Sequence, residues 1–334
     1  MEINKFYHGD SREILKTFPN NCIDTCVTSP PYFNCRDYQT AEWEGGDPSC
    51  NHKPLFKPSK TTWVGYEKKD VNKLFYRDIC KKCGAVRKDN QIGIEKTPQE
   101  YIQNLVEVFR GVYRVLKDEG SLWIVIDDKH ATVNYEREKI KRKDLIGIPF
   151  MLAFALRDDG WWWRETIIWH KPQGMPESVE DRCTINHEYV LHLTKNEKYF
   201  FDYKAIAEKS IWAERDKRFI NGPTISEKAM KGPYSTKKSG AYSKDGLKNK
   251  RSVWSVNYEF SKYEHYAVYP SMLIKPMIEA TCQENGIVLD PFMGSGTTAI
   301  VARSLNRNFI GIDLSKDYVK ISEKRIRERL GLFI

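Results

Sequence analysis

The sequence contains no run of about 18 consecutive apolar residues, the length that a membrane-spanning helix requires. Residues 1–5 lack the charged and then apolar pattern of a secretory signal. We therefore expect a cytoplasmic protein with no membrane partner. In that compartment, the 8 cysteines are more typical of metal ligands or core residues than of a disulfide framework.

The length of 334 residues is enough for one large domain with insertions or for two domains. A hydrophobic content of 40% supports a sizeable core. The net charge is +9, and residues 204–251 contribute 13 Lys and Arg against 5 Asp and Glu. On charge alone, this segment is equally typical of a solvated loop and of a surface that contacts nucleic-acid phosphates.

The most informative stretch, residues 289–299, is a glycine-rich turn between a predicted strand and a predicted helix. Residues 286–289 are typical of a short buried strand, and residues 298–305 have the spacing of a helix packed on a sheet. This arrangement predicts a nucleotide-binding turn, because Gly294 and Gly296 allow backbone angles and a close ligand approach that a Cβ would block. No Lys-Ser or Lys-Thr pair follows these glycines, which excludes a P-loop.

The strand predicted next, residues 308–313, ends in Asp313, where a carboxylate would meet ribose hydroxyls. Only one helical stretch, residues 318–330, follows it. Two βα units do not make a doubly wound sheet, so the other strands must precede the glycine turn. We therefore predict an α/β fold that is circularly permuted. The loose GxGxxA match also leaves open a nicotinamide-dependent oxidoreductase.

A second motif, Ser29-Pro30-Pro31-Tyr32, follows a predicted strand at residues 22–28. Ligands of open α/β sheets bind at the carboxyl ends of the strands. The two prolines stiffen the backbone and remove two N–H donors, so carbonyl oxygens can face the site. The serine adds a hydroxyl acceptor and the tyrosine a flat ring, which together suit an extruded base with an exocyclic amino group. A Pro-Pro turn that only closes a strand is the alternative.

Together, residues 28–32 and 290–298 resemble the amino-methylating DNA methyltransferases, which use S-adenosylmethionine to methylate cytosine N4 or adenine N6. Because the tetrad precedes the glycine turn, the chain resembles their permuted β-class. The resemblance covers residues 1–34, 95–205 and 253–330. It implies a Rossmann-like methyltransferase sheet, S-adenosyl-L-methionine as cofactor, double-stranded DNA as partner, and a bacterial, archaeal or phage source. It leaves open a cognate restriction endonuclease and a homodimer.

The resemblance also implies which residues form the site. Asp10 resembles the family's acidic turn near the cofactor adenine, and residues 267–273 resemble the segment at its methionine end. The implied catalytic residues are Ser29, Pro30, Pro31 and Tyr32. The implied cofactor-binding residues are Asp10, Pro270, Leu273, Asp290, Phe292, Gly294, Ser295, Gly296, Thr297 and Asp313.

The predicted reaction is base flipping followed by in-line methyl transfer, with the base stacked on Tyr32 and its amino group donating to the Ser29 hydroxyl and the Pro30 carbonyl. Serine at the first tetrad position favours cytosine N4, and adenine N6 is the alternative. Cytosine C5 methylation would need the cysteine of a Pro-Cys pair, which the chain lacks. A catalytically silent DNA-binding protein and a protein or RNA amino-methyltransferase are further alternatives.

Four potential metal ligands lie in residues 35–93, a predicted insertion with little apolar periodicity: Cys50, His52, Cys80 and Cys83. The second cysteine pair has the spacing of a zinc knuckle, whereas the Cys-x-His spacing of the first pair is tighter than usual. We predict a zinc-ribbon-like insertion with a structural Zn²⁺, because so little apolar content needs a staple to fold. Two unrelated thiol turns are the alternative.

These features divide the chain into five segments. The first three are the start of the catalytic domain (1–34), the insertion (35–93) and the continuation of the catalytic domain (94–204). The last two are a basic target-recognition region (205–252) and the part that binds S-adenosylmethionine (253–334).

Two predicted strands in the third segment carry acids. Asp127 ends the strand predicted at residues 121–128, either as a wall of the active site or as an ordinary loop acid. Glu188 lies near the start of the strand predicted at residues 186–194, where it either faces the site or has the favoured structural hydrogen-bond role.

Overall fold

The computed structural model describes residues 1–35, 38, 40–52, 62–64, 67–69, 78–174, 176–209, 247–259 and 269–331. Most of the predicted target-recognition region lies outside these residues, as do Ala267 and Val268 of the segment predicted near the cofactor.

The described residues form fourteen strands and six helices. The strands are β1 (Lys5–His8), β2 (Ile23–Thr28), β3 (Glu42–Glu44), β4 (Thr62–Val64), β5 (Glu67–Lys69), β6 (Val86–Lys88), β7 (Leu116–Ile126), β8 (Trp162–His170), β9 (His187–Thr194), β10 (Glu208–Lys209), β11 (Leu247–Lys248), β12 (Val253–Ser255), β13 (Ile287–Asp290) and β14 (Asn308–Asp313). The helices are α1 (Ser11–Lys16), α2 (Pro98–Val115), α3 (Ile148–Asp158), α4 (Ser271–Thr281), α5 (Thr297–Ser304) and α6 (Lys316–Leu330). None of these helices has the length and apolar character that crossing a membrane requires.

Eight of the described strands form one sheet, in the order β1-β14-β13-β2-β7-β9-β8-β12. Neighbouring strands are parallel except where β9 meets β7 and β8, so β9 alone runs in the opposite direction. The sheet confirms the predicted Rossmann-like α/β class. The strand before the glycine turn, β13, lies centrally in the sheet although it comes late in the chain; the circular permutation itself stays a prediction.

Helices pack on both faces of the sheet, as the doubly wound class requires. Helices α1, α2 and α3 belong to one buried apolar cluster, and α4, α5 and α6 belong to the other. The central strand β2 contributes Cys26 to the first cluster and Val27 to the second, and both residues are fully buried. A strand buried on both faces is typical of a parallel sheet.

Local sequence signals explain where several elements begin and which way their side chains point. Helix α2 begins at Pro98 after Thr97, whose hydroxyl accepts from the Glu100 N–H at 3.2 Å, as the capping pattern predicts. Of the adjacent tryptophans, Trp161 is buried whereas Trp162 is 46% exposed. The Trp162 ring, at the first position of β8, therefore points away from the core.

Candidate active site and zinc centre

The Ser-Pro-Pro-Tyr tetrad and the glycine turn meet at one edge of the sheet. Strands β2 and β13 are parallel neighbours, with Cys26 opposite Leu289. Ser29 directly follows β2, and the turn that begins at Pro291 directly follows β13. The structure therefore brings together two motifs that lie far apart in the sequence.

The Asp290 carboxylate ties these two strand ends together. One oxygen accepts from the Thr28 hydroxyl at 2.6 Å and from the Phe292 N–H at 3.1 Å. The other accepts from the hydroxyls of Tyr269 at 2.8 Å and Thr298 at 2.5 Å. Burial raises the pKa of Asp290, and these four donors oppose that shift. Asp290 is only 1% exposed, and through these hydrogen bonds its carboxylate holds the turn against β2.

Positive φ angles shape the glycine turn. Gly294 has φ of 54° and Gly296 has φ of 80°, a region that disfavours residues with a Cβ. A Cβ on Gly296 would also lie 2.9 Å from the Cβ of Ser322 in α6. The Ser322 hydroxyl donates to the Gly294 carbonyl at 2.9 Å, so α6 supports the turn from behind. Gly296 is thus required by helix packing as well as by backbone conformation.

Asp313 lies at the end of β14, which is the strand beside β13 and the glycine turn that follows it. Its carboxylate accepts from the N–H groups of Gly294 at 2.8 Å and Ser315 at 2.7 Å. Burial raises the pKa of Asp313 to about 7, against the lowering effect of these two bonds. Asp10 lies near this strand end, since Gly9 donates to the Asp313 carbonyl at 2.9 Å. The Asp10 carboxylate caps α1 and pairs with Arg12 at 2.6 Å.

Four other predicted cofactor residues are buried. The hydroxyls of Ser295 and Thr297 accept from Arg325 of α6, the latter at 3.4 Å. Arg325 also donates to the Ser295 carbonyl at 2.6 Å. Leu273 is fully buried in the core, and Pro270 precedes α4 as its N-cap. No sequence signal pointed to Arg325, because its partners depend on how α6 docks on the sheet.

The tetrad side chains are held by polar contacts from other elements. The Tyr32 hydroxyl donates to Glu188 Oε2 at 2.5 Å, and the Ser29 hydroxyl donates to the Tyr32 oxygen at 3.4 Å. The Pro31 carbonyl accepts from the Tyr101 hydroxyl of α2 at 2.9 Å. Pro30 is buried and Phe292 is half-buried. Contacts from β9 and from α2 therefore hold the Ser-Pro-Pro-Tyr tetrad in place.

A buried ion pair lies beside Tyr32. Lys171, directly after β8, contacts Glu188 Oε1 of β9, and both residues are buried. Because β9 runs opposite to its neighbours, its first residues lie at the same sheet edge as the ends of the parallel strands. Burial, followed by the charge of Glu188, raises the pKa of Asp127 to about 7. Asp127 and Lys171 line a cavity of about 300 Å³.

Sequence reasoning did not find this Lys171–Glu188 pair. The available signal is the position of the two residues relative to the strands. Lys171 follows β8 and Glu188 lies near the start of β9, and both of these strand ends lie at the carboxyl edge of the sheet. The direction of β9, which decides that Glu188 lies at this edge, does not follow from the sequence pattern.

The four predicted metal ligands come together in the insertion, beside the antiparallel pair β3 and β6. Their ligand atoms all lie within 4.8 Å of one another. Cys50 Sγ is 3.9 Å from Cys80 Sγ, and Cys83 Sγ is 3.9 Å from His52 Nδ1. Zinc–sulfur bonds of about 2.3 Å place two thiolates about 3.8 Å apart on a tetrahedral ion. The donor set and its spacing therefore fit a closed structural Zn²⁺ site.

Solved structures of DNA methyltransferases have this fold. The chain matches the PvuII DNA methyltransferase, which is cytosine-N4-specific, with a TM-score of 0.59 and 16% identity over 99% of this chain and 92% of that one. It also matches the putative DNA modification methylase TTHA0409 of Thermus thermophilus, which was solved in complex with S-adenosyl-L-methionine. The TM-score is 0.54 and the identity 20%, over 99% of this chain and 97% of that one. The fold is that of these DNA methyltransferases.

Sequence comparisons give the family. A family model described as DNA methylase matches residues 23–324. The Type II methyltransferase M.SmaI of Serratia marcescens is 33% identical over 97% of this chain and 91% of its own length. The Type II methyltransferase M.Cfr9I of Citrobacter freundii is 32% identical over 98% of this chain and 89% of its own length. The chain belongs to the N6/N4 DNA methylase family and is an S-adenosylmethionine-dependent Type II DNA methyltransferase.

Proposed function

We propose that the chain methylates N4 of cytosine in duplex DNA. The observation that carries this proposal is the Ser29 hydroxyl at the first position of the tetrad, one strand away from the glycine turn. The PvuII enzyme is cytosine-N4-specific. At its level of identity that likeness supports the fold alone, so the choice of base rests on Ser29.

S-adenosylmethionine supplies a methyl group on a positively charged sulfur. In this proposal, the backbone of Gly294 and Gly296 and the side chain of Phe292 cradle the cofactor. Asp313 accepts from its ribose hydroxyls, and Asp10 lies near its adenine. This assignment is supported by their common position at the carboxyl edge of neighbouring strands.

The remaining predicted cofactor residues support the cradle from inside the protein. Their burial and internal hydrogen bonds favour this role for Asp290, Ser295, Thr297, Pro270 and Leu273.

The target base would lie against the tetrad. Tyr32 offers a ring for stacking, Ser29 Oγ accepts from the amino group, and the Pro30 carbonyl is the second acceptor. Acceptors on the amino protons increase electron density on nitrogen and orient its lone pair toward the methyl group. The rate enhancement would then come from positioning and from stabilising the charge that develops on nitrogen.

The two insertions have separate proposed roles. The Cys50-His52-Cys80-Cys83 cluster would hold a structural Zn²⁺, because four protein ligands leave no position for a reacting water. The basic residues 204–251 would contact duplex DNA. A cognate endonuclease and a homodimer stay predictions.

The product nucleoside decides the target base. Purified protein is incubated with labelled S-adenosylmethionine and duplex DNA, and the DNA is then digested to nucleosides. Label on N4-methylcytosine supports the proposal, and label on N6-methyladenine alone would overturn it. Titration with a nicotinamide cofactor in place of S-adenosylmethionine serves as the negative control.

A further inference from the structure

A chain of hydrogen bonds leads from the tetrad into the protein. Ser29 Oγ donates to Tyr32 Oη at 3.4 Å, and Tyr32 Oη donates to Glu188 Oε2 at 2.5 Å. Both hydroxyl protons therefore point in the same direction, toward the carboxylate. This direction leaves the lone pairs of Ser29 Oγ able to accept a proton from outside the chain.

The carboxylate at the end of this chain is paired with a lysine and held in place. Glu188 is 6% exposed, and its other oxygen contacts Lys171 Nζ. Lys171 Nζ lies 5.0 Å from the ring centre of Trp169 and 5.1 Å from that of Tyr258. These contacts fix the ammonium, which compensates the buried negative charge of Glu188.

We propose that Ser29, Tyr32 and Glu188 form a proton relay that removes the proton released by the amino nitrogen during methyl transfer. The inference rests on the proposed function only in requiring an exocyclic amine beside Ser29. It holds equally for cytosine N4 and adenine N6.

The proton and electron balance follows from the hydrogen bonds. As the nitrogen–methyl bond forms, the bond from methyl to sulfur breaks, and sulfur keeps its electron pair and becomes neutral. The nitrogen has used its lone pair, so it must lose one proton. That proton passes to Ser29 Oγ, the Ser29 proton passes to Tyr32 Oη, and the Tyr32 proton passes to Glu188 Oε2. Each hydroxyl ends neutral, and the carboxylate ends protonated.

The environment of Tyr32 suits a concerted transfer. Burial and the charge of Glu188 raise the pKa of Tyr32 well above 10, so its hydroxyl stays protonated between turnovers. Among the described residues, the charged and titratable groups that act on Glu188 and its neighbours include Lys171, Asp127, Asp128, Tyr32 and Tyr258. Asp127 and Lys171 line the cavity next to the pair, which gives the proton a path to solvent.

Two conservative substitutions break the relay without removing the stacking ring. Tyr32→Phe deletes the middle hydroxyl, and Glu188→Gln replaces the final acceptor with an amide. We expect each to slow single-turnover methyl transfer by roughly 100-fold while the Kd for S-adenosylmethionine stays within twofold of wild type. The control is Tyr113→Phe, whose hydroxyl donates to the Lys195 carbonyl at 3.4 Å and which should be unchanged.

Rates in H₂O and D₂O separate proton transfer from positioning. The wild type should show a normal solvent isotope effect on the single-turnover rate, and both variants should show a smaller one. The double variant should be no slower than the slower single variant, because one broken link already stops the relay. A slower rate with an unchanged isotope effect would mean that Tyr32 only positions the base, and would overturn the relay.

A measurement on the protein alone tests the hydrogen-bonded chain itself. With tyrosines labelled at ¹³Cζ, the Tyr32 resonance is identified by its loss in Tyr32→Phe. Glu188→Gln should shift this resonance, and Tyr113→Phe should leave it in place. An unshifted resonance would also overturn the relay. Methyl found on adenine would overturn the base assignment alone, because the isotope effect judges the relay on whichever base is methylated.

Discussion

At the scale of single residues, the site depends on contacts that join strand ends rather than on isolated side chains. Asp290 receives four hydrogen bonds, and one of the donors is Thr28, the residue before Ser29. The position of the tetrad is therefore coupled to that of the glycine turn through a single carboxylate. Any change at Asp290 is expected to disturb both the base side and the cofactor side of the site.

Ser29→Ala tests the proposed acceptor for the amino group. We expect methyl transfer to fall by at least roughly 100-fold, because the change removes both a hydrogen bond to the amino group and the first link of the proposed relay. The Kd for S-adenosylmethionine should stay near the wild-type value, since Ser29 follows β2 and not the turn. Single-turnover assays and calorimetry measure the two quantities. Ser304→Ala, whose hydroxyl bonds within its own helix, is the control, and unchanged turnover in Ser29→Ala would contradict the role.

The pKa of Asp313 gives a pH dependence with a defined sign. Burial raises it from 3.8 to about 7, so the folded protein retains a proton that the unfolded chain has lost between these values. Its contribution to the free energy of unfolding therefore falls as the pH rises from 3.8 to about 7.

Cofactor binding should change in the opposite direction. Above about pH 7 the carboxylate is ionised and can accept from both ribose hydroxyls, so we expect the affinity for S-adenosylmethionine to rise between roughly pH 6 and pH 8. Calorimetric titration across this range measures the effect. Asp313→Asn should bind more weakly and with a flatter profile, while Asp317→Asn in α6 should follow the wild type. A pH-independent affinity in the wild type would remove Asp313 from the cofactor site.

At the scale of elements, the proposed structural Zn²⁺ would hold the insertion together. Strands β3 and β6 have three residues each, and the Trp43 ring stacks on His52 with ring centres 4.2 Å apart. Such short strands offer little apolar surface, so a metal ion bound by the four candidate ligands would supply the main constraint on this region.

Metal analysis and chelation test this element. Protein purified without chelator should carry about one zinc per chain, and Cys83→Ser should carry less than half of that. Chelation should increase hydrogen exchange in residues 78–88 because the ligand turn is released, while α2 stays protected. The exposed Cys183→Ser is the matched control. Exchange that does not respond to chelation would contradict a structural role for the metal.

The sequence predicts most elements and where the tetrad and turn lie on them. Strand β14 has the predicted bounds, because clear end signals define it, and helix α6 begins at Lys316 rather than at residue 318. Two of the contacts between distant elements could not be predicted. The pairing of Lys171 with Glu188 depends on β9 running antiparallel, and that of Arg325 with Ser295 depends on the docking of α6. Neither leaves a local signal in the chain.

At the scale of the whole molecule, charge is concentrated in residues 204–251, and we expect it to govern DNA affinity. Binding of duplex DNA should weaken steeply with salt, as counterion release requires. Replacing Lys237 and Lys238 with Ala should lower the slope of log affinity against log salt by about 2 if both contact phosphates. Fluorescence anisotropy titrations at several salt concentrations measure this slope. Replacing Lys5 and Lys16, which pair with Glu2 and Glu13, should leave the slope unchanged, and equal slopes in all proteins would contradict the assignment.

The order of the strands has a consequence for synthesis. Strand β1 is paired with β14, and β2 with β13, so β1 and β2 leave the ribosome long before the strands that pair with them. Until then, the edges of β1 and β2 that these late strands cover have no native neighbour, and the methylating centre does not exist. A nascent chain therefore cannot modify DNA before translation has passed β14, and a truncated product that stops short of it would be inert.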